Sequence, residues 1–173
     1  MVHQGDDLGE SGFLGISASP NAPQASVFYQ TQTGDIINGI YVCDWPSGKF
    51  VPKNTVIISN AEAAVKPNPA TGLSSVLLGE TEGYRVFYHD ANMTIHQLAY
   101  APGVNDDQWS YAGIVAPDRA SGKAIGTTFG RKPNVTLIFP KDAGNMEVSR
   151  FNTDKLWHQS EFPRVSCSES AAC

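Results

Sequence analysis

Apolar and polar positions along this chain fall into a pattern that repeats. From Arg85 to His89 runs a β-branched and aromatic segment, and a second, Thr94 to Tyr100, follows across the polar Asp90-Ala91-Asn92. That arrangement predicts a β-hairpin. Shifted back by 59 positions, Val86, Phe87, Tyr88, Ile95 and Tyr100 fall on Val27, Phe28, Tyr29, Ile36 and Tyr41. Shifted forward by 51, they fall on Leu137, Ile138, Phe139, Met146 and Phe151. Five apolar slots filled three times in a fixed frame are an internal repeat with a period of about 50 to 60 residues.

Each repeat reads as four strands. The first holds Phe13–Ser19, Ser26–Gln30, Asp35–Val42 and Phe50–Ile58, with Gly34 at the hairpin turn and Pro52 marking an edge or bulge. The second holds Leu73–Leu78, the hairpin from Arg85 to Tyr100, and Trp109–Val115. The third holds Ala124–Phe129, Val135–Phe139, Met146–Phe151 and Leu156–Phe162. Helical periodicity is confined to one weak turn, Asn60 to Val65. Four up-and-down strands per unit are the size and order of a β-propeller blade. Runs such as Val86-Phe87-Tyr88 are apolar on both faces, as an inner blade packed on both sides requires.

The fold class is therefore all-β, three four-stranded blades over about residues 13–65, 66–120 and 121–162. A leader (1–12), expected to be disordered, and a tail (163–173) flank them. Three blades cannot close a ring, so the expectation is half of a six-bladed propeller, completed by a homodimer or belonging to a longer chain.

Composition narrows the function. The 173 residues are 41% hydrophobic, enough for one core, and the net charge of −5 without a Lys/Arg cluster argues against nucleic-acid binding. No apolar run has the length of a membrane span. The acidic N-terminus lacks signal-peptide character, so the sequence as given reads as cytoplasmic, or as secreted if it is truncated. Three cysteines do not make a disulfide framework; Cys43 reads as a lone thiol, and Cys167 and Cys173 as free or as one small loop. His89 and His96 lack a third metal ligand, and Asn105-Asp106-Asp107 reads as a solvated acidic loop, so no cofactor or metal is expected.

The pattern Arg85-Val86-Phe87-Tyr88, Thr94-Ile95-His96-Gln97, Tyr100 and Trp109 resembles the fungal fucose-binding lectins of the Aleuria aurantia lectin type. So do the small-residue strands Gly15–Ser19 and Ala124–Phe129, and the segment Tyr41 to Gly48; the likeness covers Phe13 to Phe162. The resemblance implies a six-bladed propeller that binds fucosylated glycans between adjacent blades. It implies an Arg at the start of the second strand and a Glu twelve positions later on the sugar hydroxyls, with an aromatic ring on the sugar face. The chemistry suits those groups: a guanidinium offers fixed donors, a carboxylate accepts hydroxyl protons, and an indole covers C–H bonds.

Transferred to this sequence, Arg85 fits, and Gln97 stands where the family has Glu. The aromatic is Trp109 or, from the neighbouring blade, Trp157. The corresponding positions are Ser26 and Asn38 in the first unit and Thr136 and Val148 in the third, so those two sites read as degenerate. Other readings stay open. Arg85 also fits a solvated strand end, the tryptophans fit blade packing, and the whole fits a propeller that has lost sugar binding and serves as an interaction scaffold. A propeller hydrolase would need two facing carboxylates; within the strands the acids are Glu147 and Glu161, with Asp35 at the head of one.

Overall fold

The computed structural model describes residues 14–18, 24–44, 47–79, 83–116, 120–129, 134–142, 145–151 and 156–162. The expected leader and tail, Trp45, Cys167 and Cys173 lie outside them. Among the described residues, twelve strands form three antiparallel sheets in chain order. Blade one is β1 (Leu14–Ala18), β2 (Gln24–Gln30), β3 (Ile36–Asp44) and β4 (Lys49–Ile57). Blade two is β5 (Leu73–Gly79), β6 (Gly83–His89), β7 (Ile95–Tyr100) and β8 (Ser110–Ala116). Blade three is β9 (Gly126–Phe129), β10 (Val135–Asp142), β11 (Asn145–Phe151) and β12 (Trp157–Phe162).

The repeat frame holds in three dimensions. Phe28 pairs with Asn38, Phe87 with Gln97 and Ile138 with Val148, so the same slots face each other in every blade. Side chains alternate across a strand, and here both sets are buried. Val86, Tyr88 and Leu98 join Phe28, Ile36 and Ile58 in a core between blades one and two. Phe87 and Ile95 join Val135, Leu137 and Phe139 in a second core between blades two and three. Each fully buried Phe or Leu contributes roughly 1.5–3 kcal/mol. The blades are therefore held face to face by two apolar seams, not by one central core.

The first strand of each blade packs on the next: β1 meets β5, and β5 meets β9. Ser74 Oγ and Thr127 Oγ1 share a hydrogen bond of 2.7 Å, and Thr127 Oγ1 donates to Ser75 O at 3.1 Å. Gly72 allows the closest approach, because a Cβ there would stand 1.5 Å from Lys123 O. Gln30 bridges blades one and two: its amide nitrogen donates to Gly34 O and Asn68 O, and its oxygen accepts from Thr71 N, each at 2.9 Å. His89 fills the same slot in blade two, fully buried, and neither ring nitrogen has a partner among the described residues. Burial pulls its pKa down to about 4, assisted by Lys123 and His96 and opposed by Asp90.

Polar pairs also follow the frame. His96 Nε2 lies 3.2 Å from Asp90 Oδ2 and its Nδ1 lies 2.8 Å from Tyr111 Oη. In blade three the matching slots hold Lys141 and Glu147, at 2.9 Å. Partial burial opposes ionisation of Asp90, but N–H bonds from Thr94 and Asn92 and the His96 contact outweigh it and hold its carboxyl below the ordinary value.

Of two local expectations, the one for Pro52 holds and the one for Asn60–Val65 changes. Pro52 sits at the bulge where β4 slips against Ile40 and Tyr41, on the outermost strand, as its missing N–H requires. The helical turn expected at Asn60–Val65 is instead two consecutive tight turns, Ala61 N to Ile58 O and Ala64 N to Ala61 O, because Ala63 takes φ of 62°. Gly34, with φ of 92°, closes the first hairpin.

Candidate functional site

The face of blade two that meets blade three carries Arg85 and Phe87 on β6 and Gln97 and Ala99 on β7. Arg85 pairs with Ala99 and Phe87 with Gln97. The two polar side chains therefore sit diagonally on one face, in neighbouring pairs of that face. Arg85 is anchored by its own backbone surroundings: Nη1 donates to Tyr84 O at 2.8 Å and to Tyr100 O at 3.3 Å. Gln97 is buried.

Arg85, Gln97 and Trp157 line one cavity of about 310 Å³. Trp157 comes from blade three, where it pairs with Phe151. It is braced on two sides, edge-on to Phe87 at 5.9 Å and tilted against Phe151 at 5.4 Å. The remaining wall is apolar, formed by Leu78, Phe87, Ala99, Ala112, Val135 and Phe151. Among the described residues, Arg85 is the one charged lining residue, and no carboxylate is among them. Such a cavity offers a planar cation, one amide and an indole against an apolar floor.

Trp109 is not part of this cavity. It precedes Ser110, the partner of Ala99, and so lies beside Tyr100 and leans onto blade one. Its ring stands edge-on to Phe28 at 5.7 Å and tilted to Tyr100 at 5.6 Å. There it lines a second cavity of about 310 Å³, with Ser26 and Asn38 in the slots that Arg85 and Gln97 fill next door. Trp109 and Trp157 are thus corresponding residues of successive blades, and each covers the polar pair of the blade before it. The choice that the sequence leaves between them is resolved by this one-blade offset.

Thr136 and Val148 lie on the face of β10 and β11 that points away from blade two, since Val135, Leu137 and Phe139 take the inner face. Sequence reasoning missed Phe87 and Phe28, the ring supports two positions after Arg85 and Ser26. The repeat frame itself was the signal, since it marks that slot as aromatic in both blades. His89 and His96 are buried, and no group of three potential metal ligands occurs among the described residues.

No protein-family description and no curated protein matches the sequence. Among solved structures the chain is similar to AofleA from Arthrobotrys oligospora, with a TM-score of 0.69 and 17% identity over 92% of this chain and 44% of that one. It is similar to the Aleuria aurantia lectin in complex with alpha-methyl-L-fucoside, at 0.61 and 16% over 87% of this chain and 44% of that one. It is less similar to an exo-beta-1,3-galactanase from Phanerochaete chrysosporium with galactose, at 0.54 and 11% over 86% of this chain and 36% of that one. The chain thus spans less than half the length of each. These likenesses show the fold, which is three blades of a β-propeller of the Aleuria aurantia lectin type.

Proposed function

We propose that this chain is a carbohydrate-binding protein that holds a fucose-type sugar reversibly in the cavity of Arg85, Gln97 and Trp157. The observation that carries the reading is the convergence of those three side chains, from two blades, on one cavity of about 310 Å³. The guanidinium supplies donors to ring and hydroxyl oxygens, Gln97 both accepts and donates, and Trp157 covers a C–H face. The apolar floor of Leu78, Ala99 and Val135 suits the methyl group of a 6-deoxy sugar. The fucosides bound by the Aleuria aurantia lectin are of this kind.

The reading is one of binding: glycoside cleavage needs two carboxylates across the bond, and the described residues that line the cavity include none. Affinity per site is low, because each sugar hydroxyl exchanges water for protein partners at small net gain; several sites in one ring raise it by avidity. The ring is completed by a second copy of this chain as a homodimer, or by the remainder of a longer chain.

The test is titration with L-fucose followed by tryptophan emission, alongside Arg85→Ala. The wild-type chain shifts its emission on binding, and Arg85→Ala weakens binding at least tenfold. No emission change and no heat of binding in the wild type, or an Arg85→Ala variant that binds equally well, overturns the reading.

A further inference from the structure

Where the turns that follow β4 face the start of β8, the surface holds a cavity of about 540 Å³. We propose that it binds an alkylated ammonium cation of the choline kind, held by Trp109, Tyr111 and Glu62. Trp109 and Tyr111 stand two residues apart where β8 begins, so their side chains leave the backbone on one side. Both are half-buried: they rest against the core shared by blades one and two, and both line the cavity. An aromatic face attracts a cation through its quadrupole, and indole does so most strongly.

The rings are fixed before a ligand arrives. Trp109 is tilted against Tyr100 at 5.6 Å and edge-on to Phe28 at 5.7 Å. Tyr111 Oη and His96 Nδ1 share a hydrogen bond of 2.8 Å, so that hydroxyl is engaged within the protein. Opposite them, two consecutive tight turns carry Glu62, and Tyr88 Oη pins the end of that segment by donating to Val65 O at 2.7 Å. Glu62 is exposed and has no hydrogen bond or ion pair among the described residues. A free carboxylate beside two rings is the complement of a cation.

Charge decides the ligand class. Among the described residues the lining holds no Lys, Arg or His, and Glu62 is its one charged group. The loop that supplies Asn105 and Gln108 also carries Asp106 and Asp107, which add negative potential at the edge. Its shape is set by φ of 52°, 52° and 57° at Asn105, Asp106 and Asp107, left-handed values that Asn and Asp tolerate best. Two polar donors of the lining are already spent: Ser110 Oγ on Ala99 O at 3.4 Å, and Gln108 Nε2 on Asp106 O at 3.3 Å. An ammonium clothed in methyl groups has no need of them, and Val56, Ile57 and Ala63 supply apolar contact for the methyls. Phosphocholine brings a phosphate towards these carboxylates, so the free alcohol is favoured over the lipid headgroup. Ligand and cavity both differ from those of the fucose reading, and the inference stands or falls separately from it.

Calorimetric titration of the whole chain with choline chloride tests it, with two controls. One is phosphocholine; the other is dimethylbutanol, the neutral isostere in which carbon replaces the nitrogen. Choline binds, and both controls bind about fivefold more weakly. Glu62→Gln weakens choline about threefold, and Glu62→Lys, at the same exposed position, about tenfold or more. Arg85→Ala leaves choline binding unchanged. Tryptophan emission changes with choline in the wild type but not in Trp109→Phe, which keeps a ring at that position. The proposal is overturned if choline does not bind, or if either control binds as tightly. It is equally overturned if Glu62→Lys binds as the wild type does, or if Trp109→Phe retains the emission change.

Discussion

At the scale of single residues, Gln97 and His89 carry the clearest consequences. Gln97 shares a cavity with Arg85 but brings no charge. Replacing a neutral hydrogen bond to a sugar hydroxyl by a charge-assisted one gains about 1 kcal/mol. Gln97→Glu is accordingly expected to tighten L-fucose binding about fivefold. Calorimetric titration checks this, and an unchanged or weaker constant would mean that residue 97 does not touch the sugar. His89 predicts a pH effect. Its pKa is near 4 in the fold against 6.5 in an open chain, so the unfolded state binds more protons between these values. Stability from the neutral ring is whole above pH 6.5 and is lost as pH falls towards 4. The loss reaches roughly 3 kcal/mol. His89→Gln places in blade two the side chain that Gln30 uses in blade one, and it removes this dependence. Urea midpoints between pH 7 and 4 check it: wild type should fall more steeply than the variant, and parallel curves would exclude His89 as the cause.

At the scale of elements, blades are joined by apolar seams plus a few directed ties, of which Gln30 is the most connected. Its amide holds Asn68 and Thr71 of the segment entering blade two. Gln30→Ala strands a buried N–H and carbonyls, and a stability loss of about 2 kcal/mol is expected in urea unfolding. A variant as stable as wild type would show that the seams alone set the junction. The seams were legible in the sequence, because three copies of an apolar frame constrain register far more tightly than any single hairpin does. Strand ends were legible only to one or two residues, as with Thr94, which lies in the turn before β7. The assignment of tryptophans to cavities was not legible. Trp109 and Trp157 each serve the preceding blade, an offset created by packing that leaves no trace in local pattern. The left-handed turn at Asn105–Asp107 was equally hidden, since an acidic loop looks the same in sequence whichever sign its φ angles take.

At the scale of the whole molecule, blade one has one face against which no described blade packs, and in it Tyr29 and Ile37 are buried while Ile57 is exposed. Tyr29, Ile37 and Ile57 form one cross-strand row in blade one. The matching row of blade two, Tyr88 and His96, packs towards blade one, so the blade-one row faces the place of a preceding blade. A cavity of about 550 Å³ lies along it, and Ile57 is 46% exposed. At the other end, Ile138 occupies the slot where Phe87 supports Trp157. If another half-ring seats on these faces, a charge at Ile57 must be desolvated without a partner, which is costly at an apolar seam. Because Ile57 is half exposed in the single chain, Ile57→Lys is expected to spare the fold while shifting a two-copy assembly to the mass of one chain in light scattering. An Ile57→Lys variant that keeps the assembled mass would place the contact elsewhere. A wild-type chain already at the mass of one copy would assign the missing blades to a longer polypeptide, and the Arg85 cavity, complete within blades two and three, would still be testable in it.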